Sequence, residues 1–473
     1  MEIRTNIFVD GAWRPSAGTV VDVLSPADEQ KVGETVDAGT ADVDAAVSAA
    51  RTAFDGWRAL PAASRAKHLL SLRDELLTDL EQISEVVTRE SGTPISISRS
   101  MQRNATDRLR YYAEHAGRVS RVEERLGKAA RARIVQEPVG VAALLTPWNG
   151  AYASALTKIA PALLAGCTVV LKPPLETPLA SMFIADAAQR SGLPAGVLNI
   201  VTGGRSAGEL LVEHPDVQKI AMTGSVAGGQ AIMRSASDRL KRLTLELGGK
   251  SACVVLPGAD LAAAADQVVK GSMFNTGQAC VAWTRLLIQQ DDYERFVELL
   301  GAAIDRIRPL NPMDPSSTFG PITTPAQLER IEGFVTRALT EGARIVTGGS
   351  RVEAFDRGSW YQPTLLRDVH NHMEIARNEV FGPVTVAIPY TTVDDAVAQA
   401  NDSDYGLSGA VLGDQDQAEK VAQRLESGTV SINCFTLEDH APFGGRKLSG
   451  LGREWGPEGI DAYLESKVYA LPF

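Results

Sequence analysis

Apolar and polar positions follow two different periods along this chain. From Asp42 the apolar residues Ala45, Ala46, Ala49, Ala50 and Phe54 recur three and four positions apart, with Trp57 just beyond, which predicts a helix. A second helix is predicted from about Ala62 to Arg89, where Leu69, Leu70, Leu72, Leu76, Leu77 and Leu80 are apolar. A third is predicted from about Ile95 to Arg118. Ahead of these, residues 7–35 have the pattern of short strands and turns: Ile7-Phe8-Val9, a turn at Asp10-Gly11, then Thr19 to Leu24 and Ser25-Pro26. Arg121 to Val139 mixes charge with alternation at Ala132, Ile134 and Gln136, which suits extended strand.

The pattern then changes to short apolar runs separated by helical stretches. Val139 to Leu145 predicts a buried strand ending at Trp148-Asn149. A helix carrying Ala153, Leu156, Ile159 and Leu163 follows, then a strand at Thr168 to Lys172. Another helix is expected from about Pro178 to Ser191, with strands at Leu198 to Thr202 and Lys219 to Met222. Strands alternating with helices predict a doubly wound parallel sheet, with ligand outside the strand C-ends. Glu246 closes this set. A second alternating set contains strands at Ala252 to Leu256, Arg285 to Ile288, Ala343 to Val346, Val384 to Pro389 and Gly428 to Ile432. The fold class is α/β, and no internal sequence repeat is present.

Composition narrows the picture. At 473 residues the chain is too long for one ordinary core, so two or three domains are expected. Hydrophobic content of 44% and charged content of 22% describe an ordinary globular protein. The net charge of −11 argues against a nucleic-acid partner. No apolar run reaches membrane-spanning length, and Met1-Glu2-Ile3-Arg4-Thr5 lacks the layout of a signal peptide. The four cysteines, Cys167, Cys253, Cys280 and Cys434, are scattered, with neither a disulfide framework nor metal-ligand spacing. A reducing cytoplasm is expected, and no metal.

Candidate chemistry centres on Phe274-Asn275-Thr276-Gly277-Gln278-Ala279-Cys280. Gly277 permits a tight turn and Ala279 leaves the thiol uncrowded, which suits a nucleophile. A buried core cysteine is the commoner use of such a residue. Upstream, Glu246 stands between two leucines and before Gly248-Gly249-Lys250. A carboxylate in apolar surroundings has a raised pKa and can act as a general base; an ion pair with Lys250 is the structural alternative. Asn149, in Thr146-Pro147-Trp148-Asn149, can donate to a developing oxyanion. It can equally be a loop residue bonded to its own backbone. Thr223-Gly224-Ser225 with Gly228-Gly229 is a glycine-rich turn after an apolar run, able to approach a phosphate.

Taken together these motifs resemble the NAD(P)-dependent aldehyde dehydrogenase superfamily, in particular bacterial members acting broadly on hydrophobic aldehydes. Cys280 follows Glu246 by 280 − 246 = 34 positions, the family's spacing. The resemblance also takes in Lys172-Pro173, Glu379-Val380-Phe381-Gly382-Pro383, Asn433-Cys434, Pro442-Phe443-Gly444-Gly445 and Tyr469-Ala470-Leu471-Pro472. It implies a Rossmann-like cofactor domain (1–120 and 139–246), an α/β catalytic domain (247–433) and a small β oligomerisation ribbon (121–138 and 434–473). A homodimer or homotetramer is the implied assembly.

The resemblance also implies roles. Cys280 attacks the aldehyde, Asn149 and the Cys280 N–H hold the oxyanion, and Glu246 activates water for hydrolysis of a thioester. Lys158 and Glu454 match positions given to a proton relay, or form a structural ion pair. For NAD(P) the implied set is Leu145, Thr146, Pro147, Trp148, Lys172, Leu175, Gly204, Gly208, Thr223, Gly224, Ser225, Gly229, Leu247, Glu379 and Phe381. Lys172 is expected on the adenine-ribose hydroxyls, Ser225 and Gly224 by the pyrophosphate with Gly229 permitting close approach, and Glu379 on the nicotinamide ribose. One departure stands out. The family commonly has Lys-Pro-Ser-Glu where this chain has Lys172-Pro173-Pro174-Leu175, with Glu176 one place late. A 2′-phosphate would escape the usual carboxylate, so NAD is expected with NADP also allowed and weakly discriminated.

Substrate is expected to be a neutral aldehyde, aromatic, terpenoid or long-chain. Gly150, Ser154 and Thr157 stand where the family is often bulky. Tyr152 and Phe274 are expected to refill part of that space. Val281, Phe435, Leu437 and Phe443, with Trp283 near the nucleophile, supply apolar walls. Glu438 and Asp439 would repel a carboxylate, although Arg108 offers one possible partner for a semialdehyde. Three alternatives accompany this reading: a semialdehyde dehydrogenase, an acyl-transferring dehydrogenase disfavoured by Glu246, and a non-catalytic relative with a structural or binding role.

Overall fold

The computed structural model describes residues 5–473. Residues 1–4, on which most of the signal-peptide reading rests, lie outside the described residues. Two largely parallel sheets dominate. In the first the strands lie in the order Ala12–Pro15, Asn6–Val9, Leu198–Ile200, Thr168–Lys172, Val141–Leu145, Lys219–Thr223, Arg242–Glu246 and Gly450–Leu451. The five from Leu198–Ile200 to Arg242–Glu246 are parallel. The chain steps outward from Val141–Leu145 through Thr168–Lys172 to Leu198–Ile200, then returns to the other side at Lys219–Thr223. That reversal puts the switch point between Val141–Leu145 and Lys219–Thr223, where an open sheet forms its ligand crevice.

Burial explains the unbroken apolar runs. In Val141–Leu145, Ala142 and Leu144 enter one core cluster while Val141, Ala143 and Leu145 enter another on the opposite face. A strand covered on both faces has no polar side to show. The second sheet repeats the arrangement, in the order Arg344–Thr347, Thr364–Arg367, Val384–Tyr390, Trp283–Gln289, Ser251–Val255, Ser408–Leu412 and Thr429–Ile432. Its Ala252 and Val254 pack one way, Cys253 and Val255 the other. Cys253 is therefore a core residue.

A three-stranded antiparallel ribbon joins Leu464–Leu471, Arg131–Pro138 and Glu123–Leu126. The preceding tail does other work. Arg446–Lys447 pairs with Tyr405–Gly406, and Gly450–Leu451 pairs with Arg242–Glu246. Among the described residues no helix is long and apolar enough to cross a membrane.

The helix expected from Ala62 to Arg89 is two helices, Ala62–Thr78 and Leu80–Ser91. The leucine spacing continues through the break and hides it. Asp79, at φ −101° and ψ 5°, leaves the helix, and its carboxylate meets Arg190 at 2.5 Å. The third helix stops at Glu114, with a separate short turn over Ala116–Val119.

Candidate active site

Cys280 lies just past a tight turn, Phe274–Gly277, in which Asn275, Thr276 and Gly277 have φ of 49°, 57° and 68°. Asn275 is pinned by the Thr93 hydroxyl, which donates to its Oδ1 at 2.9 Å. Gly277 is obligatory, because an added Cβ would lie 2.3 Å from the Gly382 carbonyl oxygen. Gly277→Ala is accordingly expected to destabilise the protein by roughly 2 kcal/mol or more, from a left-handed side chain plus a backbone clash. Gly150→Ala meets nothing within 4 Å and is expected to leave stability within about 0.5 kcal/mol. Side-by-side denaturant unfolding of the two variants checks both expectations.

The Cys280 thiol is half-buried and borders a small apolar cluster with Val281, Phe435, Phe443 and Trp455. Burial pushes it up to about 12, with the Glu379 and Glu246 carboxylates adding to the effect. A neutral thiol at ordinary pH needs a base close by.

Glu246 ends its strand with only 3% of its surface exposed. Both carboxylate oxygens are buried without a hydrogen-bond partner among the described residues. Burial, then the nearby Glu454 charge, holds its pKa well above the usual carboxylate range, against the pull of Lys158 and Arg453. The Lys250 alternative fails, since Lys250 Nζ is also buried without a partner. Behind Glu246 lies a buried chain: Lys158 Nζ meets Glu454 Oε1 at 2.5 Å and donates to Thr223 Oγ1 at 2.6 Å. Thr223, expected in the cofactor set, makes its side-chain contact here.

Asn149 follows the strand Val141–Leu145, at the switch point. Its side chain does not close on its own loop. Nδ2 donates to the Gln278 carbonyl at 2.8 Å, two residues before Cys280, and keeps a second N–H. Gly249 presses from the other side, where a Cβ would lie 2.3 Å from the Cys280 carbonyl oxygen. A base without a partner, a thiol and an amide donor therefore come together between the two sheets.

The crevice beside them collects the expected cofactor residues. Thr146 Oγ1 is buried without a partner, and Pro147 and Trp148 follow it. Trp148 meets Phe381 edge-to-face at 5.2 Å. Ser225 caps the helix Val226–Ser237, accepting from Gly228 N–H at 3.1 Å, so that helix presents its positive end to the crevice. Lys172 is buried, which lowers it to about 8, and Nζ donates to Gly203 O at 2.6 Å. Gly204 and Gly208 leave space beside Leu175, Leu145 and Lys172. Orphaned Thr146, a helix N-terminus and these glycines fit a dinucleotide.

Two of these positions also have partners within the protein. The missing side chain at Gly229 makes room for Leu247, whose Cδ1 would lie 2.6 Å from a Cβ there, so this glycine serves helix-to-strand packing. Glu379 accepts from Gly249 N–H at 2.8 Å, and burial raises it to about 7.

On the substrate side, Gly150, Ser154 and Thr157 share one helix face, and Gly150 opens onto free space. Tyr152 does not refill it. Two residues on from Gly150 it points to the opposite face, into the core, with its hydroxyl 2.9 Å from Thr106 Oγ1. Phe274 and Phe435 rings lie 5.6 Å apart, with fully buried Trp283 backing Phe435 at 5.4 Å. Leu437 is 38% exposed in the following loop. Arg108 is partly occupied by its neighbours, and its buried Nε makes no hydrogen bond among the described residues. It donates to Thr157, faces Asp439 at 3.7 Å and stacks 4.7 Å from the Trp455 ring centroid. Trp455, itself stacked on Phe443 at 4.5 Å, was not singled out in the sequence. Its only signal is its place beside Glu454, inside Gly452-Arg453-Glu454-Trp455-Gly456.

Comparison with known proteins adds a second line of observation. The profile of the aldehyde dehydrogenase family matches residues 13–469. Geranial dehydrogenase of Castellaniella defragrans is 40% identical over 473 residues, covering 98% of both proteins. Betaine aldehyde dehydrogenase 1 of rice is 38% identical, over 98% of this chain and 94% of that protein. Among solved structures, a Mycobacterium tuberculosis aldehyde dehydrogenase complexed with NAD+ superposes with a TM-score of 0.97, at 40% identity, over 99% of this chain and 98% of that one.

Proposed function

This chain belongs to the aldehyde dehydrogenase family, and from that premise we propose that it oxidises neutral, largely apolar aldehydes to carboxylic acids with NAD(P)+. The observation that carries the reading is the unpartnered Glu246 carboxylate beside the Cys280 thiol. Glu246 takes the thiol proton, and the sulfur adds to the carbonyl carbon to give a thiohemiacetal. The free N–H of Asn149 and the Cys280 N–H hold its oxyanion. NAD(P)+, when bound, supplies the hydride acceptor that turns this adduct into a Cys280 thioester. Thr146, Lys172 and the Ser225 helix N-terminus would hold that cofactor, together with Glu379 and Phe381. Glu246 releases the thiol proton and, as a carboxylate again, takes a proton from water, which attacks the thioester and releases the acid. Lys158 and Glu454 position Glu246 electrostatically and offer its proton a route inward.

Neutral substrates are favoured by the charges at the mouth. Arg108 already covers the Trp455 face, which would otherwise suit a cation. Asp439 already faces Arg108, which leaves a carboxylate poorly matched. Exposed Val468 and Tyr469 on the ribbon support self-association as a dimer or tetramer. Four unpaired thiols suit the reducing cytoplasm. The test is NADH and NADPH formation with benzaldehyde, a terpenoid aldehyde, a long-chain aldehyde and succinic semialdehyde. The apolar three are expected to exceed the semialdehyde in kcat/KM by about tenfold or more, the cost of one poorly paired charge. A faster semialdehyde would sink the substrate assignment.

A further inference from the structure

The sequence departs from its family at Leu175, where a carboxylate beside the adenine ribose is missing. The structure brings another carboxylate to that corner from a distant part of the chain. The strand Lys31–Asp37 pairs only with Thr19–Leu24 and ends at Asp37. Asp37 Oδ1 accepts from Gly204 N–H at 2.9 Å, 167 residues away. A Cβ on Gly204 would lie 3.3 Å from Leu175 Cδ1 and 3.7 Å from each Asp37 oxygen. A Cβ on Gly208 would lie 3.7 Å from Lys172 Cε. Asp37, Leu175 and Lys172 therefore surround one glycine-floored corner, outside the C-ends of the strands Thr168–Lys172 and Leu198–Ile200. Asp37 is half-buried, and its Oδ2 accepts no hydrogen bond among the described residues.

We propose that Asp37 is the specificity-determining carboxylate of the adenine-ribose corner, taking a ribose hydroxyl on Oδ2 and excluding a 2′-phosphate. The assignment rests on the cofactor site proposed above. A carboxylate accepts well from a ribose 2′-hydroxyl, whereas a phosphate there faces like charge. Lys172 offsets this only in part, because two of its three N–H groups are already directed at the Gly203 and Pro173 carbonyls. Glu176, exposed, adds negative charge at greater solvent access. Leu175 alone implies weak discrimination; Asp37 restores it.

Isothermal titration of the full-length protein with NAD+ and NADP+ tests this without turnover. Wild type is expected to bind NAD+ roughly tenfold or more tightly than NADP+. Asp37→Asn keeps an oxygen for Gly204 N–H and removes the charge. It is expected to narrow the NADP+/NAD+ dissociation-constant ratio by roughly tenfold, mostly through tighter NADP+. Glu176→Gln is expected to move the ratio by less than threefold, since exposed charge is screened. Equal binding of both nucleotides by wild type overturns the proposal even where the variant misfolds. So does an unchanged ratio in Asp37→Asn, or an equal shift in Glu176→Gln, while tight NAD+ binding leaves the cofactor site itself standing. Binding of neither nucleotide removes that site and the proposal with it.

Discussion

Cys280→Ala is expected to lower kcat for aldehyde oxidation by about 10⁴-fold or more, the scale of losing a covalent nucleophile. NAD+ affinity and unfolding behaviour are expected to stay close to wild type. The turn that presents the thiol depends on Asn275, Thr276 and Gly277, not on the sulfur, so alanine leaves the backbone in place. Serine is expected to do no better. With burial pushing the thiol up to about 12, the thiolate is a minor species at neutral pH without help, and a serine hydroxyl in the same surroundings is harder still to ionise. No other cysteine substitutes. Cys167 and Cys253 are fully buried in cores, and Cys434 is exposed in the loop after the strand Thr429–Ile432. Steady-state rates beside nucleotide titration separate the outcomes. Activity above 1% of wild type would place the nucleophile elsewhere, and lost nucleotide binding would mean the change is structural.

Legibility in the sequence depended on whether a feature is local. The sheet strands were readable because burial on both faces leaves no polar positions, so Val141–Leu145 and Ser251–Val255 stand out as apolar runs. Glu246 and Asn149 were readable because each ends or follows a strand beside a glycine or proline turn, and Cys280 because it follows the turn at Gly277. Features that need distant partners were hidden. The break at Asp79 rests on Arg190, 111 residues away, while the leucine spacing passes through it unchanged. Asp37 acquires meaning only through Gly204. Trp455 acts through Arg108 and Phe443. The packing of Gly229 against Leu247 was hidden in the same way. Tyr152 was misplaced for a simpler reason. Helix periodicity sends Gly150, Ser154 and Thr157 one way and Tyr152 the other, so its neighbours' exposure says nothing of its own.

Glu246→Gln separates the two halves of the reaction. The variant is expected to activate Cys280 more slowly, through water in place of the carboxylate, and to lose still more in hydrolysis of the Cys280 thioester, since glutamine keeps the shape but cannot take a proton from water. Mixing enzyme, cofactor and aldehyde should release close to one NADH per active site in a burst. A steady rate about 10²–10⁴-fold below wild type should follow, the usual worth of a positioned base. The pH profile carries the sign. Burial and the Glu454 charge raise the Glu246 pKa, so the carboxyl is protonated and inactive as a base at low pH. Wild-type kcat is expected to climb as pH rises through that raised value, to the alkaline side of an ordinary carboxylate. In Glu246→Gln that limb should vanish, leaving a slow rate that grows with hydroxide and reaches no plateau. Glu454→Gln tests the coupling behind it. Removing the neighbouring negative charge should move the wild-type limb to lower pH without abolishing it. A missing burst together with a slow steady rate would mean that the loss of Glu246 falls mainly on Cys280 rather than on water. An unchanged limb in Glu246→Gln would assign the titration to another group, with Glu379, raised to about 7 by burial, the next to examine.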